Sequence, residues 1–208
     1  MSKNTRQGLV AILVVVLVVL IDQITKILVK TNMFIGEVIP ITSWFEIQFI
    51  ENPGMAFGME VGSKLFLTLF RIVAICFIGY YLYYLVKNKY ARGYIACIAL
   101  IWAGAFGNII DCVFYGEIFS ASYPGHVASF VPIGEGYDTW LHGKVVDMLH
   151  FPLFTGTFPE WFPKWGGEEF EFFAPVFNIA DSAITVGIFV LILFYRKTLN
   201  DSLEKKKA

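Results

Sequence analysis

The residues of this chain best equipped for chemistry are acids and amides set into apolar runs. Asp181 sits in "APVFNIADSAITVGIFVLILFYR", residues 174–196, a stretch apolar enough to cross a bilayer that still carries Asn178, Asp181 and Ser182 near its start. Asp111 closes "GAFGNIID", Asp22 and Lys26 interrupt "LVVLIDQITKILVK", and Arg71 interrupts "FLTLFRIVAI". An ionised side chain at mid-membrane costs roughly 2.5 to 3.5 kcal/mol even on insertion scales, so each such residue needs a partner or a task. Asp147, in "HGKVVDMLHF", lies outside these runs, with Lys144 and His150 as its obvious local partners. Its apolar neighbours predict that it docks onto helix ends.

Spacing narrows what these groups can do. Asn108 and Asp111 stand three residues apart, as do Asn178 and Asp181. On a helix such an amide can donate to the carboxylate one turn away and fix its rotamer. Asp22 and Lys26 stand four apart on one helix face, which suits either a self-neutralising structural pair or a pair that shapes a site. Arg71, on its simplest reading, snorkels toward headgroups. Gly104 and Gly107 permit close helix approach. His126, His142 and His150 lack zincin spacing, and no nucleophile elbow is visible. Cys76, Cys97 and Cys112 show no C-x-x-C spacing and read as buried, inert thiols. Neither a metal nor a cofactor is expected.

The elements that position these residues are membrane helices. Hydrophobic residues make up 57% of the 208-residue chain and charged residues only 16%, which excludes an ordinary soluble domain. Four spans fit the apolar runs, at about 8–29, 65–86, 93–115 and 174–195, each long enough for a core of about 30 Å. The first is too long for a secretory signal and reads as a retained anchor. The expected fold is an all-α integral membrane bundle of four transmembrane helices with a small extracytoplasmic β-rich subdomain, a single domain over residues 1–208.

Charge sets the orientation. The net charge of −1 carries no information on partners, but Lys3 and Arg6, the loop "KNKYAR" and the tail "RKTLNDSLEKKKA" place basic residues on one side. By the positive-inside rule that side is cytoplasmic, as are both termini. The long segments 30–64 and 116–173 then face outward. The first contains a β-rich stretch, Trp44 to Ile50, ending at the turn signal "NPG". The second is dense in aromatics, which suits the bilayer interface or a patch that meets a lipid-bearing ligand.

With that orientation Asp22, Lys26, Arg71, Asp111 and Asp181 all fall in the outer half of the membrane. Asp181 comes out about two turns inside its helix, roughly 10 Å below the start at 1.5 Å per residue. A one-sided cluster describes a site opening to the outer face, whereas a proton- or ion-coupled transporter needs polar groups across the whole thickness. A non-catalytic scaffold would not require paired Asn/Asp boxes.

In order along the chain, "DQITK", "ENPGMAFGM", "AGAFGNIID", "GKVVDM" and "FNIADSAITVG" resemble the boxes of the lipoprotein signal peptidases (signal peptidase II), aspartyl proteases of the bacterial inner membrane. The ordered set is highly specific and covers most of the chain outside 118–142 and 151–173. The resemblance implies an aspartic endopeptidase whose catalytic pair is Asp147 and Asp181. Asp22, Lys26, Asn52, Gly54, Asn108, Asp111 and Asn178 would support the pair or bind substrate. It further implies prolipoproteins bearing a diacylglyceryl cysteine as substrates and membrane lipid as surroundings, with no nucleic acid, obligate protein partner or cofactor. The active site would open toward the periplasmic face. One departure stands out: where the family usually has Arg after the Asp of its third box, this chain has Cys112. The substrate-contacting cation is then either missing here or supplied from elsewhere, with Lys26, Arg71 and Lys144 as candidates.

Overall fold

The computed structural model describes residues 3–54 and 64–205. Its elements run α1 (Lys3–Asn32), β1 (Val38–Thr42), β2 (Phe45–Asn52), α2 (Lys64–Lys87), α3 (Arg92–Ile110), a π-helical turn (Asp111–Tyr115), α4 (Gly116–Ile118), β3 (Val145–His150), β4 (Phe154–Thr157), β5 (Glu169–Phe172), α5 (Ile179–Phe194) and α6 (Arg196–Lys205). The stretch "MAFGM" of the second box lies outside the described residues. The β-rich stretch expected from Trp44 to Ile50 runs instead from Phe45 to Asn52, so Asn52 belongs to the strand.

Among the described residues, three helices are long and apolar enough to cross a membrane: α1, α2, and α3 with its continuation to Ile118. The expected fourth span over 174–195 is broken. α5 starts only at Ile179, is 16 residues long, and bends by 87° into α6. It counts as a crossing only when the bent pair is taken as one span. Amphipathic α6 turns across the bundle and seats its Ser202 hydroxyl against Tyr81 at 2.5 Å and Tyr94 at 3.2 Å.

α3 is the central helix. Half of its spanning window is buried, against 11% for each of α1 and α2. Small residues make this possible. A Cβ added to Gly104 would collide with the Ala180 carbonyl of α5, and one on Gly107 would come within 2.6 Å of Asp22 Oδ2 on α1. These two glycines let α3 touch both neighbours where the polar residues gather. Cys97 and Cys112 are buried as expected, but Cys76 is exposed on α2, so not all three thiols are enclosed.

A three-stranded antiparallel sheet in the order β1-β2-β3 joins the polar end of the bundle. In its register Ile50 faces Asp147 and Asn52 faces Val145, with an irregularity between Ile47 and Ile50. Below β3 a cluster of Val29, Met33, Phe49, Tyr115, Phe119, Val146 and Met148 packs the sheet onto α1 and the π turn. The chain then re-enters beside β3: Leu149 N donates to Phe177 O at 2.7 Å, and Phe177 N returns the bond at 3.1 Å. This pairing fixes the start of α5 against the strand that carries Asp147. A separate two-stranded hairpin, β4-β5, carries the aromatic segment.

Candidate active site

Asp147 lies on β3 with 3% of its surface exposed. Its Oδ2 accepts from Asn52 Nδ2 at 3.2 Å and its Oδ1 from Asn178 Nδ2 at 2.7 Å. The local partners expected from sequence are committed elsewhere. Lys144 pairs with Glu51 at 2.9 Å, and His150 lies between Glu46 and Glu171 at 2.7 and 2.8 Å. Burial, and then the negative charge of Asp181, pushes the Asp147 carboxyl up to about 7. The amides of Asn52 and Asn178 pull the other way without overcoming those two effects.

Asp181 is not two turns inside a helix. Asn178 has extended backbone and is the N-cap of α5, which puts Asp181 in the first turn. The two form a capping box: Asn178 Oδ1 accepts from Asp181 N at 2.9 Å, and Asp181 Oδ2 accepts from Asn178 N at 3.4 Å. The spacing that suggested an amide one turn from a carboxylate is that of a helix start. Its carboxylate sits where the helix dipole and unpaired N–H groups favour negative charge.

Asn108 likewise serves a different acid from the one its spacing suggests. Its Nδ2 donates across to Asp181 Oδ1 at 2.8 Å, and its Oδ1 accepts from Lys26 Nζ at 2.8 Å. Asn178 Nδ2 also lies 3.1 Å from Asn108 Oδ1. Two amides thus connect the two carboxyls, from Asp147 through Asn178 and Asn108 to Asp181. Lys26, whose ammonium can only donate, fixes which end of the Asn108 amide faces Asp181.

Asp22, Lys26 and Asp111 are all fully buried behind this pair of amides. Lys26 Nζ lies 3.0 Å from Asp22 and 2.8 Å from Asp111, so the expected two-residue pair is a three-residue node. Each acid also holds backbone. Asp22 Oδ1 accepts from Ala180 N at 2.9 Å, anchoring the first turn of α5 to α1. Asp111 Oδ2 accepts from Val146 N at 3.2 Å, anchoring β3 to the end of α3. The π turn begins at Asp111, and Gly143 N bonds Cys112 O at 2.9 Å, so β3 enters close beneath it.

Gly54 N donates to Asn52 Oδ1 at 2.7 Å, leaving the Asn52 amide hydrogens aimed at Asp147. Gly54 has a φ of +87°, a left-handed conformation that explains glycine here. Arg71 points inward, with Nη1 donating to Cys112 Sγ at 3.4 Å. A cavity of about 300 Å³ between α2, α3 and α5 has Arg71, Asn108 and Asp181 on its walls, with Ile75, Ile78 and Ile184 making it apolar elsewhere.

Two groups of residues escaped sequence reasoning. Gln23, inside the first box, donates to Asp111 at 2.9 Å and accepts from the Tyr115 hydroxyl at 3.1 Å. Glu51 pairs with fully buried Lys30 at 2.5 Å as well as with Lys144. Burial alone would raise the Glu51 carboxyl, but the two lysines hold it below the usual carboxylate range. The alternation of strand β2 marks Glu51 as a facing residue, yet nothing local identifies Lys30 as its partner.

The family model described as signal peptidase (SPase) II matches residues 14–196. This chain belongs to the signal peptidase II family. A lipoprotein signal peptidase of Porphyromonas gingivalis is 53% identical over 203 residues, covering 97% of this chain and 89% of that protein. Lipoprotein signal peptidases of Amoebophilus asiaticus and Staphylococcus aureus are 34% and 30% identical, each covering 94% of this chain, and 81% and 93% of their own lengths. A solved bacterial membrane enzyme structure at 26% identity aligns with a TM-score of 0.60, over 91% of this chain and 90% of the other. Family membership at this coverage leaves the transporter reading without support.

Proposed function

We propose that this signal peptidase II family member is an aspartic endopeptidase that removes signal peptides from lipoproteins, with Asp147 and Asp181 as its catalytic pair. The observation that carries the assignment is the chain of hydrogen bonds joining the two carboxyls through Asn178 and Asn108. Their surroundings differ in the way an aspartic pair needs. Asp181 lies in the first turn of α5, where the free N–H groups of the helix start face its carboxyl. Asp147, buried and raised toward 7, is suited to holding the shared proton.

In this reading Asp181 takes a proton from a water, which attacks the scissile carbonyl. Asp147 donates its proton to that carbonyl oxygen, giving a gem-diol. The proton taken up by Asp181 then passes to the leaving amine as the C–N bond breaks, and Asp147 recovers its proton from a gem-diol hydroxyl as the carbonyl re-forms. Asn52 and Asn178 orient Asp147, and Asn108 orients Asp181. The Asp22–Lys26–Asp111 node holds the elements that carry them. The two carboxyls act together in this reading, and each is required.

The substrate proposed is a prolipoprotein whose cysteine already bears a diacylglyceryl group, cut just before that cysteine. Such lipid chains would anchor the scissile bond at the outer leaflet of the bacterial inner membrane. The basic segments support cytoplasmic termini and an active site toward the periplasmic face. The test is cleavage by purified protein in detergent of matched precursors with and without the lipid. Cleavage of the lipidated precursor alone supports the reading; cleavage of neither, or equal cleavage of both, contradicts it.

A further inference from the structure

Among the described residues, Arg71 is the one charged group on the cavity wall to which the mechanism above gives no task. Lys26 and Lys30, also buried in spans, each meet carboxylates. Arg71 instead donates to the Cys112 thiol, a weak acceptor, and has no carboxylate ion pair among the described residues. A guanidinium carries five N–H donors, so among the described residues most of its hydrogen-bonding capacity is left over. Holding a cation in a span on such terms is costly unless something else meets it.

Position says what that something is. The guanidinium flanks Gly54, where an added Cβ would come within 3.3 Å of Nη2 and 3.4 Å of Nη1. Gly54 follows Asn52, which holds Asp147. The same side chain lines the cavity whose other polar walls are Asn108 and Asp181. An anion entering there would face the Asp181 carboxylate, so a neutral acceptor is favoured over a phosphate or carboxylate. The isoleucines on the remaining walls call for an apolar group attached to that acceptor.

Resting on the endopeptidase reading, we propose that Arg71 is a substrate-binding residue that donates to a carbonyl oxygen of the lipidated precursor. Cys112 keeps the guanidinium turned inward. The carbonyl is either a main-chain carbonyl beside the scissile bond or an ester carbonyl of the glyceride on the cysteine. Both present the same neutral acceptor with an apolar attachment.

The experiment compares wild type, Arg71→Met and Arg71→Lys in detergent, with a synthetic precursor carrying either a diacylglyceryl or a dialkylglyceryl ether. Arg71→Met should raise KM by about 10- to 100-fold, the range for losing a hydrogen bond to a charged group, with kcat changed far less and the pH profile unmoved. Arg71→Lys should fall between, since it keeps the charge but not the fork. A KM effect that persists with the ether assigns the main-chain carbonyl; one seen only with the diacyl substrate assigns the ester. An unchanged KM in both variants, while wild type cleaves, overturns the Arg71 assignment and leaves the endopeptidase reading intact. A wild type that cleaves neither precursor overturns both.

Discussion

Asn178 holds Asp147 with one end of its amide and starts the helix of Asp181 with the other. Nδ2 donates to Asp147 Oδ1 at 2.7 Å, while Oδ1 accepts from Asp181 N at 2.9 Å. A single side chain therefore sets the relative position of two acids 34 residues apart on a strand and a helix. The fold reinforces it from outside, through the Leu149–Phe177 bridge on one side and the Asp22 contact to Ala180 N on the other.

These two jobs can be separated by substitution. Asn178→Ala removes both and should cost about 1 kcal/mol of stability from the lost cap, together with most of the activity. Asn178→Ser restores a cap but cannot reach Asp147 as a donor in the same way. It should regain the stability and stay poorly active. Thermal unfolding and cleavage rate measured on both variants check this, and a fully active Asn178→Ser would remove Asp147 orientation from the role of Asn178.

The raised Asp147 carboxyl predicts a pH dependence of stability. Moving from 3.8 to about 7, it binds its proton more tightly in the native state than in the unfolded one. Its contribution is fully present below about pH 4 and is lost as pH rises through about 7. The size is on the order of a few kcal/mol, and Asp147→Asn should abolish that part of the slope. On the proposed mechanism, cleavage by wild type should also fall as pH rises through about 7, because Asp147 would then lack the proton it donates. Asp181→Asn removes the neighbouring charge and should lower the Asp147 value; superimposable stability profiles for wild type and both variants would exclude this coupling.

Replacing Asp22 and Lys26 together by apolar residues tests the node. For an isolated ion pair such a swap is often neutral. Here it strands Asp111, which is fully buried and loses its lysine. Asp22→Leu/Lys26→Met should therefore lose roughly 3 to 5 kcal/mol as well as activity, the cost of leaving a buried charge unpaired. Adding Asp111→Asn should return part of the stability without returning cleavage. A double variant as stable as wild type would show that Asp111 does not depend on Lys26.

Gly104→Ala adds one methyl group against the Ala180 carbonyl. Overpacking of this kind costs about 1 to 3 kcal/mol, and here the strain falls on the first turn of α5. Cleavage should drop more than for Gly8→Ala, where an added Cβ meets nothing closer than 3.8 Å. Equal activities of the two variants would count against close α3–α5 contact as the device that places Asp181.

Much of this was legible beforehand because membrane helices announce themselves by apolar length and their charged residues by cost. The convergence of Asp22, Lys26, Asn108, Asp111, Asn178 and Asp181 follows from that logic. Which amide meets which acid was not legible, since the bonds cross between elements: Asn108 serves Asp181 and Asn178 serves Asp147. Hydropathy also counted residues 174–178 as helix, although Asn178-x-x-Asp181 is equally a helix-start pattern. Nothing in the local sequence joins Lys30, near the end of α1, to Glu51 on β2; the pair forms only through packing, with Phe49, Phe119 and Tyr137 around the Lys30 ammonium.

The most direct measurement is the cleavage rate of a lipidated precursor by wild type, Asp147→Asn, Asp181→Asn and the double variant, each purified in detergent and matched for thermal stability. On the proposed mechanism the two acids act as one unit, so each single variant should lose at least roughly 100- to 10,000-fold, and the double variant should be no worse than the singles. Either single variant retaining near wild-type cleavage would contradict the pairing of Asp147 and Asp181.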